Sequence, residues 1–319
     1  MDNKSTRDAY GEALLRLGEK DSRVVALDAD LPSSTRTGKF GKRFPERFFN
    51  CGIAEQNMYG IAAGLALCGK IPFASTFAVF ATERAFNQIR QCISYQTANV
   101  KIAVSHSGLS SAGDGGSHQT LIDIGLMRSL PNMAVLVPAD AAQTSWAVEA
   151  AASLQGPVYL RLSKTDVPVI FPSGTPFQWG KALRIREGSS VTVIVTGILL
   201  GQVMQAAEGL QASGIDVEIL NIHTVKPLDG EGILQSVSKT GAAITVEEHS
   251  VTGGLGSAVA ELLGENSPMP ILRIGARDVF GESGTLEDLY RKHGFTAEQI
   301  MRQVRDFVQH CRSSIKHER

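Results

Sequence analysis

The hydrophobic positions of this chain fall into short apolar runs that longer amphipathic stretches separate. In the first half the apolar runs cover 23–29, 46–51, 70–76, 100–106, 133–138 and 156–162. Near-continuous apolar strands that alternate with helices are typical of a parallel sheet covered on both faces. We therefore expect an α/β domain in this half.

The second half repeats the alternation on a smaller scale. Its apolar runs cover 191–196, 216–222, 242–248 and 270–275, and its predicted helices lie near 201–212, 230–238, 254–264 and 296–312. A segment rich in proline and glycine, 166–182, stands between the halves and is typical of a link between domains. We predict two doubly wound α/β domains, 1–170 and the smaller 186–319, with a linker at 171–185.

The composition argues against some classes of partner but does not identify a function. The chain has 319 residues, 43% hydrophobic and 20% charged, with a net charge of −1. This balance is typical of a soluble globular protein and argues against nucleic acid or a membrane surface as a partner. The four cysteines form no CxxC pair, so we expect a reducing, cytoplasmic setting. The N-terminus is predicted to be an amphipathic helix and not a signal peptide.

The candidate functional residues of the first half lie immediately after its predicted strands. In open α/β sheets, ligands bind beyond the carboxyl ends of the strands. The candidate residues that follow four predicted strands are Leu31, Ser33, Ser34, Glu55, Phe77, Phe80, His106, Asp114 and His118. Loops from four strand ends can converge on one cleft.

Glu55 opens a predicted helix within 54–69. Met58, Ala62 and Leu65 recur at helical spacing, and Glu55 extends their face at its N-terminal end. A carboxylate at that place is removed from water, while the helix N-terminus favours its anion. Glu55 is therefore either a functional group or a cap of the first turn.

The segment 106–119 combines four glycines with His106, Asp114 and His118. Glycines let a backbone come close to a ligand, and a long loop of this kind is typical of a functional site. We expect His118 in the first turn of the following helix, where the dipole disfavours imidazolium and leaves a neutral imidazole that can exchange a proton. The alternative is a surface turn whose histidines cap the helix.

Two further pairs have a structural and a functional interpretation. Phe77 and Phe80 either pack in the core or offer a stacking surface to a planar ring. Arg161 and Lys164, at the end of the last strand of the first half, either hold a phosphate or carboxylate or lie in solvent.

Several segments, in this order, resemble the transketolase family. Those that resemble its pyrimidine-binding domain are 28–40 (DADLPSSTRTGKF), 48–66 (FFNCGIAEQNMYGIAAGLA), 74–90 (ASTFAVFATERAFNQIR), 105–119 (SHSGLSSAGDGGSHQ) and 130–140 (LPNMAVLVPAD). Those that resemble its C-terminal domain are 224–229 (TVKPLD) and 246–263 (VEEHSVTGGLGSAVAELL). The resemblance covers essentially the whole chain and implies ketol transfer with thiamine diphosphate.

For the cofactor, the resemblance implies a role for five residues. Glu55 matches the glutamate that hydrogen-bonds N1′ of the aminopyrimidine and so activates the cofactor. Phe77 and Phe80 match the aromatics around the pyrimidine, and Leu31 matches an apolar residue that helps to hold the cofactor bent. Glu83 stands where single-chain enzymes have a tyrosine beside the pyrimidine.

For the substrate, the resemblance implies a histidine pair and an aspartate. His106 and His118 match histidines that face the substrate, hydrogen-bond it and shuttle protons. Asp114 matches the aspartate that reads the hydroxyl next to the ketose carbonyl.

The resemblance also implies a site for the terminal anion of the sugar. Ser33 or Ser34 aligns with a serine near the acceptor phosphate. Lys164 replaces a phosphate-binding arginine, and Arg161 could share its task because a lysine is a point charge and not a bidentate fork. A phosphate, a sulfonate or another anion could occupy the site.

The resemblance further implies a divided enzyme. Gly113-Asp114-Gly115 matches the start of the motif that grips the diphosphate and Mg²⁺, but the 138–145 stretch has no asparagine to complete it. We therefore expect no metal site on this chain. A separate N-terminal chain would carry the diphosphate and Mg²⁺, in an α2β2 assembly that acts on sugar phosphates.

Other functions remain open at this point. The β subunits of 2-oxoacid dehydrogenases share the fold and the glutamate but usually lack the STF segment and the Asp-x-x-x-His loop. Deoxyxylulose-phosphate synthases are usually one chain with both halves. A transketolase for a non-standard sugar, sulfonated or branched, and a regulatory subunit that kept the fold are the remaining alternatives.

Overall fold

The computed structural model describes residues 2–317 and the side chains of 2–313. The strands are β1 Asn3–Ser5, β2 Val24–Asp28, β3 Phe48–Asn50, β4 Ile71–Phe77, β5 Lys101–Ser105, β6 Ala134–Leu136, β7 Val158–Arg161, β8 Asp166–Pro168, β9 Leu183–Arg186, β10 Val191–Val195, β11 Val217–Asn221, β12 Thr224–Lys226, β13 Ala243–Ser250 and β14 Ile271–Ala276.

The α-helices lie between these strands and after them. They are α1 Thr6–Lys20, α2 Pro32–Thr35, α3 Gly38–Arg43, α4 Glu55–Leu67, α5 Phe86–Gln88, α6 Asp123–Ser129, α7 Ala141–Ser153, α8 Leu200–Ala212, α9 Gly230–Thr240, α10 Leu255–Asn266, α11 Leu286–His293 and α12 Ala297–His317. In this described part of the chain, no helix is both long enough and apolar enough to cross a bilayer.

The larger sheet has the strand order β12-β6-β7-β5-β4-β2-β3. Its strands pair in parallel except for β12, which is antiparallel to β6. Every residue of β2, β4, β5 and β7 is buried, as the continuous apolar runs predict for a sheet covered on both faces. The predicted parallel α/β domain is confirmed.

The smaller sheet has the order β14-β13-β10-β11-β9, and β9 runs antiparallel to its neighbour while the other described strands pair in parallel. This is the predicted second α/β unit. Within the predicted linker 171–185, Phe171 and Phe177 are buried in the core of this unit, and β9 begins at Leu183.

The two halves of the chain share structure. Strand β12 lies in the sequence range of the second domain but extends the sheet of the first. One hydrophobic cluster joins Leu27 and Ile102 of the first half to Val225 and Ile233 of the second. The relative position of the halves is therefore fixed by a common core.

A buried ion pair reinforces this junction. Nε and Nη2 of Arg161 donate to the carboxylate of Asp123 at 2.6 and 3.1 Å, and the Tyr159 hydroxyl donates to the same carboxylate at 2.7 Å. Nη2 of Arg161 also donates to the backbone oxygen of Glu248 in the second half, at 3.0 Å. Burial alone would raise the pKa of Asp123, but the Arg161 guanidinium holds it below its usual value.

We expect Arg161→Met to lower the free energy of unfolding of the full chain by about 3–5 kcal/mol, because it leaves the Asp123 carboxylate buried without its cation. Urea unfolding at pH 7 measures the loss. The double variant Asp123→Leu/Arg161→Met should recover much of it, since it removes the orphaned charge. A single variant as stable as the wild type would contradict this account.

Candidate active site

A polar cavity of about 530 Å³ opens at the carboxyl ends of β4, β5 and β7. Because these strands pair in parallel, with Ser105 opposite Phe77 and Arg161 opposite Val104, their following loops meet at one edge. The residues that line the cavity are Arg7, Ser33, Ser34, Arg36, Phe77, His106, Asp114, His118 and Lys164. Seven of these nine are candidates that the sequence identified.

Glu55 does not line this cavity. It is the first residue of α4, and its side chain is 2% exposed. Nη1 of Arg84 lies 3.5 Å from its carboxylate, which is too long for a tight ion pair. The Tyr59 hydroxyl, one turn further along α4, is buried without a hydrogen-bond partner among the described residues. Burial, together with the charge of Glu55, raises the pKa of Tyr59 well above its usual value.

A series of side-chain contacts leads from Glu55, through Arg84 and two phenylalanine rings, to the cavity. The Arg84 guanidinium that approaches Glu55 also lies 5.2 Å from the centre of the Phe80 ring. Phe80 stacks on Phe77 with ring centres 5.7 Å apart, and Phe77 stacks on His106 at 3.7 Å. Phe77 is buried but lines the cavity wall, whereas Phe80 is half-buried and lies outside the lining.

His106 is held in a conformation that few residues adopt. Its φ angle is +58°, in the left-handed region, and its side chain is buried. Burial lowers the pKa of His106 to about 3, with help from the positive charges of Arg7 and Lys164. The imidazole is therefore neutral at pH 7. A buried, strained, neutral imidazole is typical of a functional site.

His118 differs from its prediction. Helix α6 begins at Asp123, so His118 lies in a turn and not in the first turn of a helix. Its backbone is held by Gly115, and the next residues pair with other segments, with Thr120 bridging to Gly108. The helix-dipole argument therefore fails. His118 reaches the cavity nonetheless, and its ring meets Phe80 edge-on with centres 5.5 Å apart.

Asp114 and Lys164 form an ion pair at the mouth of the cavity. The Lys164 ammonium donates to the Asp114 carboxylate at 2.9 Å, and both side chains are about one-third exposed, at 35% and 37%. Partial desolvation opposes ionisation of Asp114, but the Lys164 ammonium keeps its pKa below the usual value.

Arg7 and Arg36 are cavity residues that the sequence analysis missed. Arg7 lies in the first turn of α1, and its Nη1 donates to the backbone oxygen of Ser34 at 3.1 Å. Arg36 has a φ angle of +70°, and Asp8 of α1 lies 2.6 Å from its Nε. No local sequence pattern predicts that either residue lies in the site, because both reach it through the packing of α1 against residues 33–36.

Gly11 makes this packing possible. A Cβ atom at Gly11 would lie 2.5 Å from the Cβ of Arg36 and 3.0 Å from its backbone oxygen. A side chain there would push the 33–36 segment away from α1. A glycine inside a helix weakens it, so its position here indicates a need for close approach.

Besides Glu55 and Phe80, three predicted residues lie outside the cavity lining. The Leu31 amide donates to the buried Asp28 carboxylate at 2.5 Å, which orders the 31–37 segment. Glu83 lines a neighbouring cavity of about 370 Å³ with Ile122 and Phe280. Arg161 is committed to its ion pair with Asp123, so the expectation that it shares anion binding with Lys164 is corrected.

Two family models match the chain. The transketolase pyrimidine-binding domain matches residues 2–169, and the transketolase C-terminal domain matches residues 180–300. Together they cover the seven-stranded and the five-stranded sheets.

Three similar proteins come from divided enzymes. The 6-deoxy-6-sulfo-D-fructose transketolase subunit SqwH of Clostridium sp. (strain MSTE9) is 44% identical over 95% of this chain and 94% of its own. A subunit of the apulose-4-phosphate transketolase of Phocaeicola vulgatus is 35% identical over 95% of this chain and 97% of its own. A solved structure described as a split-gene transketolase in an inactive β4 tetramer is 47% identical, with a TM-score of 0.89 over 97% of this chain and 99% of that one. This chain therefore belongs to the transketolase family and is similar to the C-terminal subunits of its split members.

Proposed function

We propose that this chain acts in a thiamine-diphosphate-dependent transketolase that moves a two-carbon ketol unit from a ketose to an aldose. The observation that carries the proposal is the series of contacts from Glu55 through Arg84 and the Phe80–Phe77 stack to the polar cavity. A planar ring at Glu55 and a sugar in the cavity would lie side by side.

The residues near Glu55 fit the pyrimidine end of this cofactor. They provide a desolvated carboxylate at a helix N-terminus, an unpartnered Tyr59 hydroxyl and the Phe80 ring face. Glu55 would hold a proton at N1′, in a place that water cannot reach. When bound, the cofactor supplies the carbon that accepts the ketol unit and the electron sink for cleavage of the adjacent bond.

The cavity residues would bind and orient the sugar. A neutral His106 can donate or accept a hydrogen bond without a net charge, and the rings of His106 and His118 both contact the Phe77 ring. Asp114, held by Lys164, would accept from a sugar hydroxyl. This division gives proton exchange to the histidines and recognition of the hydroxyl to the carboxylate.

The cations of the cavity favour an anion. Arg7, Arg36 and Lys164 bring three positive charges beside the Ser33 and Ser34 hydroxyls. Guanidinium groups match the geometry of phosphate and similar oxyanions. We propose donor and acceptor sugars with a terminal phosphate or sulfonate, since the two similar subunits above are named for substrates of both kinds.

The proposal also includes a partner chain that packs against the exposed face of α4. The outer face of α4, immediately after Glu55, carries Gly60, Gly64 and the exposed Ile61 and Leu67, and Ile53 just before it is 76% exposed. Small and apolar residues on one helix face permit close packing of another chain. We assign to this face an N-terminal subunit that holds the diphosphate and Mg²⁺, in an α2β2 assembly located in the cytoplasm.

Glu55→Gln should reduce ketol transfer about 10²- to 10⁴-fold, because the amide cannot hold the proton at N1′. The change should leave the melting temperature unchanged or higher, since it removes a buried charge. A coupled ketose/aldose assay with the partner chain measures the activity. The control is Glu265→Gln, an exposed carboxylate on α10. Near-wild-type turnover in Glu55→Gln would reject the role in the proton relay.

Lys164→Ala should raise KM for anionic ketoses about tenfold, the effect expected of one partly exposed charge-assisted hydrogen bond. KM for an uncharged ketose should change less. Steady-state kinetics on both substrates separate the effects, and Lys70→Ala, at the amino end of β4, is the control. An unchanged KM for the anionic ketose would place the anion elsewhere.

Isothermal titration calorimetry tests the division of the cofactor site. The isolated chain should show no Mg²⁺-dependent binding of thiamine diphosphate, whereas a mixture with the N-terminal chain should bind it. Tight, Mg²⁺-dependent binding by this chain alone would contradict the divided site.

A further inference from the structure

The loop 106–122 lies between the two halves of the molecule. It carries His106, Asp114 and His118 toward the cavity on one side. On the other side it rests against β13 and the 281–284 segment of the C-terminal half. The geometry of the three cavity residues therefore depends on a surface outside their own domain.

Glu248 of β13 makes the contact nearest to His106. Its buried carboxylate accepts a hydrogen bond from the Leu109 amide at 3.0 Å. The loop backbone also packs directly on this carboxylate, because a Cβ at Gly108 would lie 2.7 Å from the carboxyl carbon of Glu248. Gly108 has a φ angle of +61°, which suits glycine in particular. The backbone of the loop at Gly108 and Leu109 therefore packs against the Glu248 carboxylate.

Other contacts hold the remainder of the loop. The Ser250 amide donates to the backbone oxygen of Leu121 at 2.7 Å. Nε2 of Gln119 donates to the backbone oxygens of Ala112 and Glu282 at 3.1 and 3.0 Å. These contacts flank Asp114 and His118, whereas Glu248 holds the end that carries His106.

Glu248 is itself fixed in place. Its backbone oxygen accepts from the Arg161 guanidinium, which is locked to Asp123. Desolvation raises the pKa of the Glu248 carboxyl to about 7, so its burial opposes folding at neutral pH. An apolar residue would be less costly at this position if packing were its only task.

We infer that Glu248 is a positioning residue for the active site, and that through the Leu109 amide the C-terminal half sets the placement of His106. The contact itself stands on geometry alone, and its consequence for catalysis rests on the proposed function. The C-terminal half then supports the substrate site without lining the cavity.

Three variants test this inference. Glu248→Ala removes the acceptor, whereas Glu248→Gln keeps an oxygen that can accept from the Leu109 amide. Glu218→Gln is the matched control, since Glu218 is a buried carboxylate of the same half that bonds to Arg184, Ser236 and Lys239 instead of the loop. Hydrogen exchange of the Leu109 amide is measured on the full chain, and kcat and KM are measured with the partner chain.

Glu248→Ala should lose protection of the Leu109 amide at least tenfold and lose kcat/KM about 100-fold, the order of effect of a displacement near 1 Å in a catalytic group. Glu248→Gln should keep most of both, and Glu218→Gln should match the wild type. Unchanged Leu109 protection and kcat/KM in Glu248→Ala would overturn the inference.

Gly108→Ala provides a second variant in case Glu248→Ala does not fold. Its added methyl group would press the loop away from Glu248 and should lower kcat/KM while the carboxylate remains, and wild-type kinetics would overturn the inference. Failure of the proposed function gives a different result, in which the wild-type assembly transfers no ketol unit although Glu248→Ala still exposes the Leu109 amide. That result supports the contact and rejects the reaction.

Discussion

A carboxylate that is removed from water needs a partner, and Glu55 has only a distant one among the residues that the structure describes. Burial of an unpaired ion costs several kcal/mol even after the protein relaxes, yet among the described residues the charged neighbour of Glu55 is Arg84 at 3.5 Å. The N-terminus of α4 offsets part of this cost. The remainder is explained if a polar group from outside the chain completes the site, which also accounts for the unpartnered Tyr59 hydroxyl.

The parallel sheet determines which side chains lie near the Glu55 carboxylate. Adjacent strands β4, β5 and β7 end together and bring an aromatic stack and a buried imidazole to one polar cavity, and the stack contacts Glu55 of α4 through Arg84. Burial keeps His106 neutral, whereas Arg7 and Lys164 contribute positive charge to the same cavity. Under the proposed function, His106 would exchange protons and the cations would bind an anion in this one cavity.

Local patterns predicted the elements better than the contacts between them. The apolar runs give the buried strands, and helical spacing gives α4 with Glu55 at its start, because both depend on near neighbours in the chain. His118 failed as a helical residue because contacts with the C-terminal half hold its loop outside α6. Arg7 was missed and Arg161 was misassigned because a charged side chain at an element end gives no sign of its distant partner, which here is Ser34 or Asp123.

The most direct test of the central claim is an experimental structure of this chain assembled with its N-terminal partner and thiamine diphosphate. The account predicts that the Glu55 carboxylate lies within about 3 Å of N1′ of the aminopyrimidine, at the junction of the two chains. A structure in which Glu55 faces bulk solvent, or in which the cofactor lies far from it, would contradict the account.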